Sequence, residues 1–567
     1  MTPVPPPSPF WPPGLPATIS VPRTTLTENL EIAARRYPDK AAYVVYGHCV
    51  SYAQLWCDVQ KLAGWLQREA GVRRGDRVLL SGQSSPQFVA AYYAILRADA
   101  IVVPSNPMNL SEEFAHAAAD SGARVAIAAQ ELWPRLQALL GRELDKGLAF
   151  AYSEGLDRLD ADTPDWFAAP PQAPGHAAIT SWSEALAAQH VPSPSQAQPE
   201  DLCLLAFTSG TTARPKGCTH SHRSLMAAAV TPALWRGETA ETTFLGANPM
   251  FHMQGLQALI NTAGYLGATV VLLPRWEARR AAQLLPRYRV NRWGVSPPML
   301  LDLLALPGLA PDALDSVQII TGGGSALPEA VNERLSKELG IRYMEGYGMT
   351  ETASMLFANP LHRTKRQCLG IPTFGVSALV VDPVTLEPYP EGRTPDSGEL
   401  WVSGDQVSPG YWNNDEANQA SFVQRDGKRW LRTGDLVVRD ADGYYFLVDR
   451  LKRMINVGGY KVWPSEVESL LHRHPAIQEA CVIAVPHPTR GEKVRAGVVL
   501  RQGARLGADE LLAWSKDQMA TYKCPREVEF SDRLPRSGTG KIDWRSLQDA
   551  ARARAAAAAS TPSHDNH

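Results

Sequence analysis

Large apolar residues run without alternation from Leu202 to Phe207, the pattern of a strand buried on both faces, and Val317-Gln318-Ile319-Ile320 predicts another buried strand. Between Thr25 and Ala128, similar short runs alternate with helical spacing. Thr25 to Arg36 sets Leu26, Leu30 and Ala33 on one face, predicting a helix. Val78 to Leu80 predicts a strand, Pro86 to Leu96 a helix, and Ile101 to Val103 and Val125 to Ala128 two further strands. This alternation predicts a parallel, doubly wound α/β region, with the segment before residue 200 as one layer of it. Residues 153–200 break the pattern with Asp160, Asp162, Asp165, Pro170 and Pro171, and read as an exposed connection with little role in chemistry. Close-set turn residues around Ser397 to Val402 and Gly410-Tyr411 predict a β-rich subregion. Beyond residue 454 a smaller α+β unit is expected, with helices at 465–473 and 508–519 and strands at 480–484 and 494–500. An Ala-rich, then polar tail from Arg552 is expected to be disordered.

The chain's 567 residues exceed one core, so two domains or more are expected. A formal net charge of −2 supplies no basic field for nucleic acid or an anionic membrane. Seven cysteines without C-x-x-C spacing fit reduced thiols in a cytoplasmic setting, not a disulfide framework or zinc site. The proline-rich leader, residues 1–24, lacks the basic and apolar regions of a secretory signal, and no apolar run is long enough to span a bilayer.

After the strand ending at Phe207 comes Thr208-Ser209-Gly210-Thr211-Thr212-Ala213-Arg214-Pro215-Lys216-Gly217, with a helical pattern predicted from Ser221 or Ser224. Four hydroxyls, two glycines and two cations after a buried strand suit a polyphosphate, through freed backbone N–H groups, hydroxyls and one ammonium. It is not a Walker A sequence, because Lys216 precedes its glycine and Cys218 follows. Gly538-Thr539-Gly540-Lys541 fails too, with Pro535 at the first glycine position and Ile542 after the lysine.

Further along stand five more constellations: Phe251-His252-Met253-Gln254-Gly255; Thr321-Gly322-Gly323-Gly324-Ser325-Ala326; Glu345-Gly346-Tyr347-Gly348-Met349-Thr350-Glu351; Thr433-Gly434-Asp435; and the charged run from Asp449 to Lys461. Read alone, His252 suits a hydrogen-bonded core position, the glycine runs suit turns and the charged run a solvated surface. Tyr347 offers an aromatic face, Thr350 a hydroxyl and Glu351 a hard carboxylate donor.

Taken in order, these motifs resemble those of the adenylate-forming (AMP-binding) enzymes, in particular the acyl-CoA synthetase branch, over residues 25–550. The loop is similar to T-S-G-T-T-G-x-P-K-G with Ala213 in place of glycine, and Ala326 replaces a common proline in the second turn. The resemblance implies a large α/β N-terminal domain of layered sheets with a β-rich subregion (25–449), a hinge (450–453), a small mobile α+β C-terminal domain (454–550) and a disordered tail (551–567). It implies that Thr208, Ser209, Gly210, Thr211, Thr212 and Lys216 hold the β- and γ-phosphates of ATP, and that Gly324, Ser325, Ala326, Glu345, Gly346 and Tyr347 line the adenine. Thr350 would bond the α-phosphate, Glu351 hold Mg2+, Asp435 accept the ribose hydroxyls and Arg450 contact ribose or phosphate. Lys452 would be the hinge pivot, Gly458 and Gly459 would leave room for the pantetheine arm of CoA, and Lys541 would be the catalytic lysine. His252 would lie between nucleotide and acyl group, with Met253, Gly255, Gly322, Gly323 and Met355 forming an apolar, roomy acyl pocket.

The expected activity is an AMP-forming acid–thiol ligase using ATP, Mg2+ and CoA on a medium- or long-chain fatty acid. An aryl acid, or delivery of the acyl group to a separate carrier protein, is the alternative. Luciferase-like oxidation and a non-catalytic nucleotide-binding relative are the remaining readings; in the latter the positions of Lys541 and Glu351 would be lost, and both residues are intact. No nucleic-acid partner and no integral membrane segment are expected, and a homodimer is compatible with the sequence.

Overall fold

The computed structural model describes residues 8–208, 215–323, 327, 329–390, 397–458, 460–487, 491–536 and 542–560. They fall into two compact units: Met1–Ala378 with Val402–Leu431 and Asp442–Tyr444, and Leu379–Trp401 with Arg432–Ala441 and Tyr445–His567.

The larger unit carries two big sheets. In one, Leu202–Thr208, Ile101–Ser105, Arg77–Ser81, Val125–Ala129, Lys146–Phe150 and Ile179–Ser181 run parallel in that order. Lys216–Ser221 and then Gly410–Tyr411 extend it antiparallel beyond Leu202–Thr208. In the other, Arg342–Met349, Ile319–Gly322, Arg292–Val295, Thr243–Gly246, Thr269–Leu272 and Ala41–Val45 are parallel, with antiparallel strands at both edges. Helix Pro86–Arg97 is buried from Pro86 through Leu96, because it lies in the core shared by both sheets. Its Tyr92 and Tyr93 hydroxyls donate to Asn261 Oδ1 and the Ile260 carbonyl, at 3.1 and 3.0 Å. This is the layered α/β architecture expected.

Four local expectations are corrected. Ala41–Val45 and His48–Ser51 belong to the second sheet, so the first two hundred residues serve both layers. The glycine- and hydroxyl-rich loop leads into a strand, Lys216–Ser221, and the helix His222–Arg236 begins only after it. That strand escaped its polar pattern because Thr219 and His220 are buried with hydrogen-bond partners far along the chain. Residues 153–200 are more than an exposed connection: Ile179–Ser181 adds an edge strand, and Phe167, Trp182 and Ala185 are buried. Asp160 is docked, since it accepts from Arg280 and Arg287 at 2.8 and 2.9 Å. Gly47, at φ +84°, leaves the room that the Asp160 carboxylate fills. Finally, helix Trp544–Ser560 runs through the Ala-rich segment expected to be disordered.

The smaller unit explains that helix. Ile477–His487 and Gly491–Leu500 pair antiparallel, with Glu527–Phe530 parallel to the second. Alternation along the first strand sends Ala480, Val482 and Ala484 into one core, with Val467 and Leu511 from the two expected helices. Cys481, Ile483 and Val485 face the other way, where Ala551, Leu547 and Trp544 cover them. Two apolar faces need two layers of cover.

The leader is also packed. Trp11 sits edge-on to Trp235 and Phe374, with centroids 5.0 and 5.3 Å apart, and the Arg363 guanidinium lies 3.7 Å over the Phe10 ring.

Candidate active site

In open α/β sheets, ligand-binding groups collect beyond the carboxyl ends of the parallel strands. Thr208 ends Leu202–Thr208, residues 248–255 follow Thr243–Gly246, Gly322 and Gly323 end Ile319–Gly322, and residues 345–351 close Arg342–Met349. The candidate nucleotide and acyl residues of the large unit therefore share one kind of place in the topology.

At the first of these ends, Thr208 pairs with Lys216 across the hairpin, its hydroxyl 3.4 Å from the Lys216 carbonyl. Ser209, Gly210, Thr211 and Thr212 lie outside the described residues. The Lys216 ammonium stands 5.2 Å above the Tyr411 ring. Tyr411 in turn donates its hydroxyl to Glu351 Oε1 at 2.7 Å. Glu351 is 8% exposed. Its carbonyl accepts from the Ser408 amide at 2.8 Å, and His220 Nε2 lies 2.7 Å from the Thr350 carbonyl. Strand Lys216–Ser221, its partner Gly410–Tyr411 and Ser408 thus hold the turn Thr350–Thr352 from one side.

Electrostatics follow from this burial. Burial, and then the Glu351 charge, push the Tyr411 phenol far above its ordinary range, so it stays a donor. Burial likewise raises the Cys218 thiol, and it lowers His220 to about 4 against the pull of the Thr350 carbonyl, so the imidazole is neutral. Directly after the turn, Ala353 and Ser354 take φ +51° and +90°, a conformation that costs on the order of 1–3 kcal/mol per residue and that surrounding contacts must impose.

Gly322 pairs with Glu345 across parallel strands, which brings the two glycine-containing motifs side by side. The Glu345 carboxylate accepts from the Cys368 amide at 2.9 Å and the Leu327 amide at 3.5 Å, while burial raises its pKa. A side chain at Gly323 would meet the Gly346 carbonyl at 3.2 Å. Tyr347 packs edge-on to Phe357, and Met355 faces Gly348 in the neighbouring strand. Gly324, Ser325 and Ala326 lie outside the described residues. His252 precedes the short helix Met253–Gly255, with its ring 4.6 Å from that of Phe251. Gly255 and Gly322 do not open space: the Pro249 carbonyl lies 2.1 Å from where a Cβ would stand at Gly255, and the Tyr343 hydroxyl 1.8 Å from that at Gly322. Close packing, not pocket volume, explains these two glycines.

In the smaller unit, Asp435 and Arg450 are opposed in adjacent strands, and Arg450 Nε lies 3.0 Å from Asp435 Oδ1. The aspartate side chain is 4% exposed and the arginine 53%, so the carboxylate is fixed and the guanidinium reaches outward. Asp449, which sequence reading passed over, accepts from the amides of Arg450 and Ser465 at 2.6 and 2.7 Å and so ties the strand end to helix Pro464–Leu471. Lys452 is exposed on the turn Leu451–Arg453. Gly458, at φ +60°, turns between Ile455–Val457 and Tyr460–Val462. Gly459 and Lys541 lie outside the described residues; Arg536 and Ile542 form an isolated antiparallel bridge.

Mg2+ is ordinarily held by one or two carboxylates together with substrate phosphates. Among the described residues no three His, Cys, Asp or Glu side chains group as a metal cage, and Glu351, a buried hard-oxygen donor at the strand ends, fits that sparse mode. Among the described residues no helix is long and apolar enough to cross a membrane.

Comparison with known proteins agrees with this geometry. Residues 30–412 match the family model for AMP-binding enzymes and residues 466–541 that for the AMP-binding enzyme C-terminal domain. The chain is 32% identical over 552 residues to a long-chain-fatty-acid–CoA ligase of Bacillus subtilis, covering 95% of this chain and 96% of that protein. It is 34% identical over 511 residues to a feruloyl-CoA synthase of Amycolatopsis, covering 90% and 95%. Among solved structures, ATP-bound MatB from Rhodopseudomonas palustris superposes with a TM-score of 0.79 at 27% identity, over 93% of this chain and 99% of that one. The chain belongs to the AMP-binding enzyme family and is an adenylate-forming acid–CoA ligase that uses ATP, Mg2+ and CoA.

Proposed function

We propose that the acid activated is an apolar monocarboxylic acid, foremost a medium- or long-chain fatty acid, and that Thr350, Glu351, His252 and Lys541 carry its adenylation. The observation that supports this assignment is the Thr350–Glu351 turn, held by His220, Ser408 and Tyr411 beside the strand that Lys216 opens.

A carboxylate is a poor acyl donor because its leaving group would be an oxide. In the first half-reaction its oxygen attacks the α-phosphorus of ATP, forming the acyl–phosphate bond as the bond to pyrophosphate breaks. Positioning and charge neutralisation dominate such a step. Lys541 bridges the carboxylate and the α-phosphate, the Thr350 hydroxyl donates to the α-phosphate, and the loop from Thr208 to Lys216 holds the β- and γ-phosphates. Glu351 would hold Mg2+, which supplies positive charge against the phosphates. Asp435, already paired with Arg450, accepts the ribose hydroxyls, and Glu345 to Tyr347 border the adenine with residues 324–326. In the second half-reaction the CoA sulfur attacks the acyl carbon, the carbon–oxygen bond to AMP breaks, and AMP leaves. That step dispenses with Lys541. Rotation about Lys452 removes it and brings Gly458 and Gly459 to the pantetheine arm, within the domain division at 450–453.

His252, Met253 and Met355 supply an apolar surface for the acyl group, and the fatty-acid ligase relative supports a fatty acid. A second reading, an aryl acid such as a hydroxycinnamate, draws on the close packing at Gly255 and Gly322, which leaves less room than glycines suggest. The feruloyl-CoA synthase relative supports it equally. AMP release across fatty and aryl acids, each with and without CoA, separates them. CoA-dependent turnover confined to aryl acids overturns the fatty-acid reading.

A further inference from the structure

Behind the Thr350–Glu351 turn lies a buried polar chain that the reaction scheme leaves unused. His220 is fully enclosed, with Nε2 at 2.7 Å from the Thr350 carbonyl oxygen and Nδ1 at 3.2 Å from Ser224 Oγ. A carbonyl can only accept, so Nε2 carries the proton and Nδ1 accepts. The Ser224 hydroxyl donates to Nδ1 or to the Ser221 carbonyl, 3.0 Å away, while the Ser221 amide donates to Ser224 Oγ at 3.1 Å and fixes it. Cys218 Sγ, 3.6 Å from the same Nε2, walls the ring on the strand side.

The turn needs such support. It spans three residues, and the two that follow hold positive φ without being glycine, so its geometry is not the one a free chain would choose. Tyr411 restrains the Glu351 carboxylate, the Ser408 amide restrains the Glu351 carbonyl, and His220 is the donor on the Thr350 carbonyl. All three come from strand Lys216–Ser221 or from the segment beside it.

We propose that His220 is a positioning residue for adenylation: through the Thr350 carbonyl it sets the direction in which the Thr350 hydroxyl and the Glu351 carboxylate meet the α-phosphate and Mg2+. The inference rests on the assignment of Glu351 to Mg2+. It predicts an effect on metal dependence that a merely space-filling histidine would not have.

The test is acid-dependent pyrophosphate release by the full chain without CoA, titrated with Mg2+. His220→Met keeps bulk and removes the donor; His220→Gln keeps a donor. The methionine variant is expected to need roughly tenfold more Mg2+ for half-maximal rate, the effect of losing one buried hydrogen bond, and the glutamine variant to stay near wild type. Equal Mg2+ dependence in wild type and His220→Met, or equal shifts in both variants, overturns the inference. Should His220→Met not fold, Ser224→Ala, which strips the Nδ1 partner and keeps the ring, is expected to shift the midpoint about threefold, and no shift overturns the inference. Glu351→Gln run in parallel separates the two readings. An unchanged metal dependence there defeats the assignment of Glu351, whereas a shift there with none in His220→Met defeats only the role of His220.

Discussion

The segments Thr350–Glu351 and Leu451–Gly458, which the proposed mechanism assigns to one reaction, are built in opposite ways. The first is a three-residue turn whose backbone and carboxylate are held by a histidine, an amide and a phenol, with strained residues behind it. The second carries exposed Lys452 and a glycine at positive φ, with its rigidity displaced to Asp449 on one side. Groups that stabilise a transition state must be in place before it arises; groups that change partners between half-reactions need torsions free to move. The contrast matches the proposed division of labour, adenylation at the strand ends and exchange at the hinge.

Four substitutions break or sharpen that contrast. Lys541→Ala should lower adenylation on the order of a thousandfold, measured as acid-dependent pyrophosphate exchange, while thioester formation from supplied acyl-AMP persists. Lys452→Pro should do the reverse, leaving adenylation and slowing thioester formation on the order of a hundredfold, as misplacement of reacting groups does. Equal loss of both steps would mean that residue 452 is not a pivot.

Acid sensitivity sits on the clamped side. Burial pushes His222, whose Nδ1 accepts from the Leu26 amide, down to about 4. The unfolded chain takes up that proton first, so the contribution is complete above the ordinary histidine pKa and is lost as pH falls towards 4. Between pH 7 and 5 the loss amounts to about 2 kcal/mol, and His222→Asn should flatten the fall in thermal midpoint over that range. An undiminished fall contradicts the assignment. The smallest effect belongs to Tyr411→Phe, which removes one of several restraints on Glu351: adenylation should slow roughly three- to tenfold with folding intact, read by kcat at saturating Mg2+.

The architecture was legible because parallel strands buried on both faces leave unbroken apolar runs, as at Leu202 to Phe207, and because glycines and hydroxyls cluster at their carboxyl ends. What escaped were residues whose roles depend on distant partners. His220 and Thr219 look like loop polarity until Thr350 and Gly410 meet them. Tyr411 looks like a turn aromatic until Glu351 is beside it. Gly255 and Gly322 look like pocket space because sequence records the missing side chain and not the carbonyl or phenol that fills its place. The Ala-rich helix Trp544–Ser560 was hidden for a related reason: its need arises from the second apolar face of Ile477–His487, an earlier strand that Trp544, Leu547 and Ala551 cover.

The most direct measurement is a rapid-quench experiment with α-labelled ATP, Mg2+ and a turned-over acid, first without CoA and then with CoA added. Acyl-AMP should accumulate to the level of the enzyme and vanish on addition of CoA as thioester and AMP appear together. Thioester formation with no adenylate beforehand, or acid-dependent release of ADP, would contradict the account.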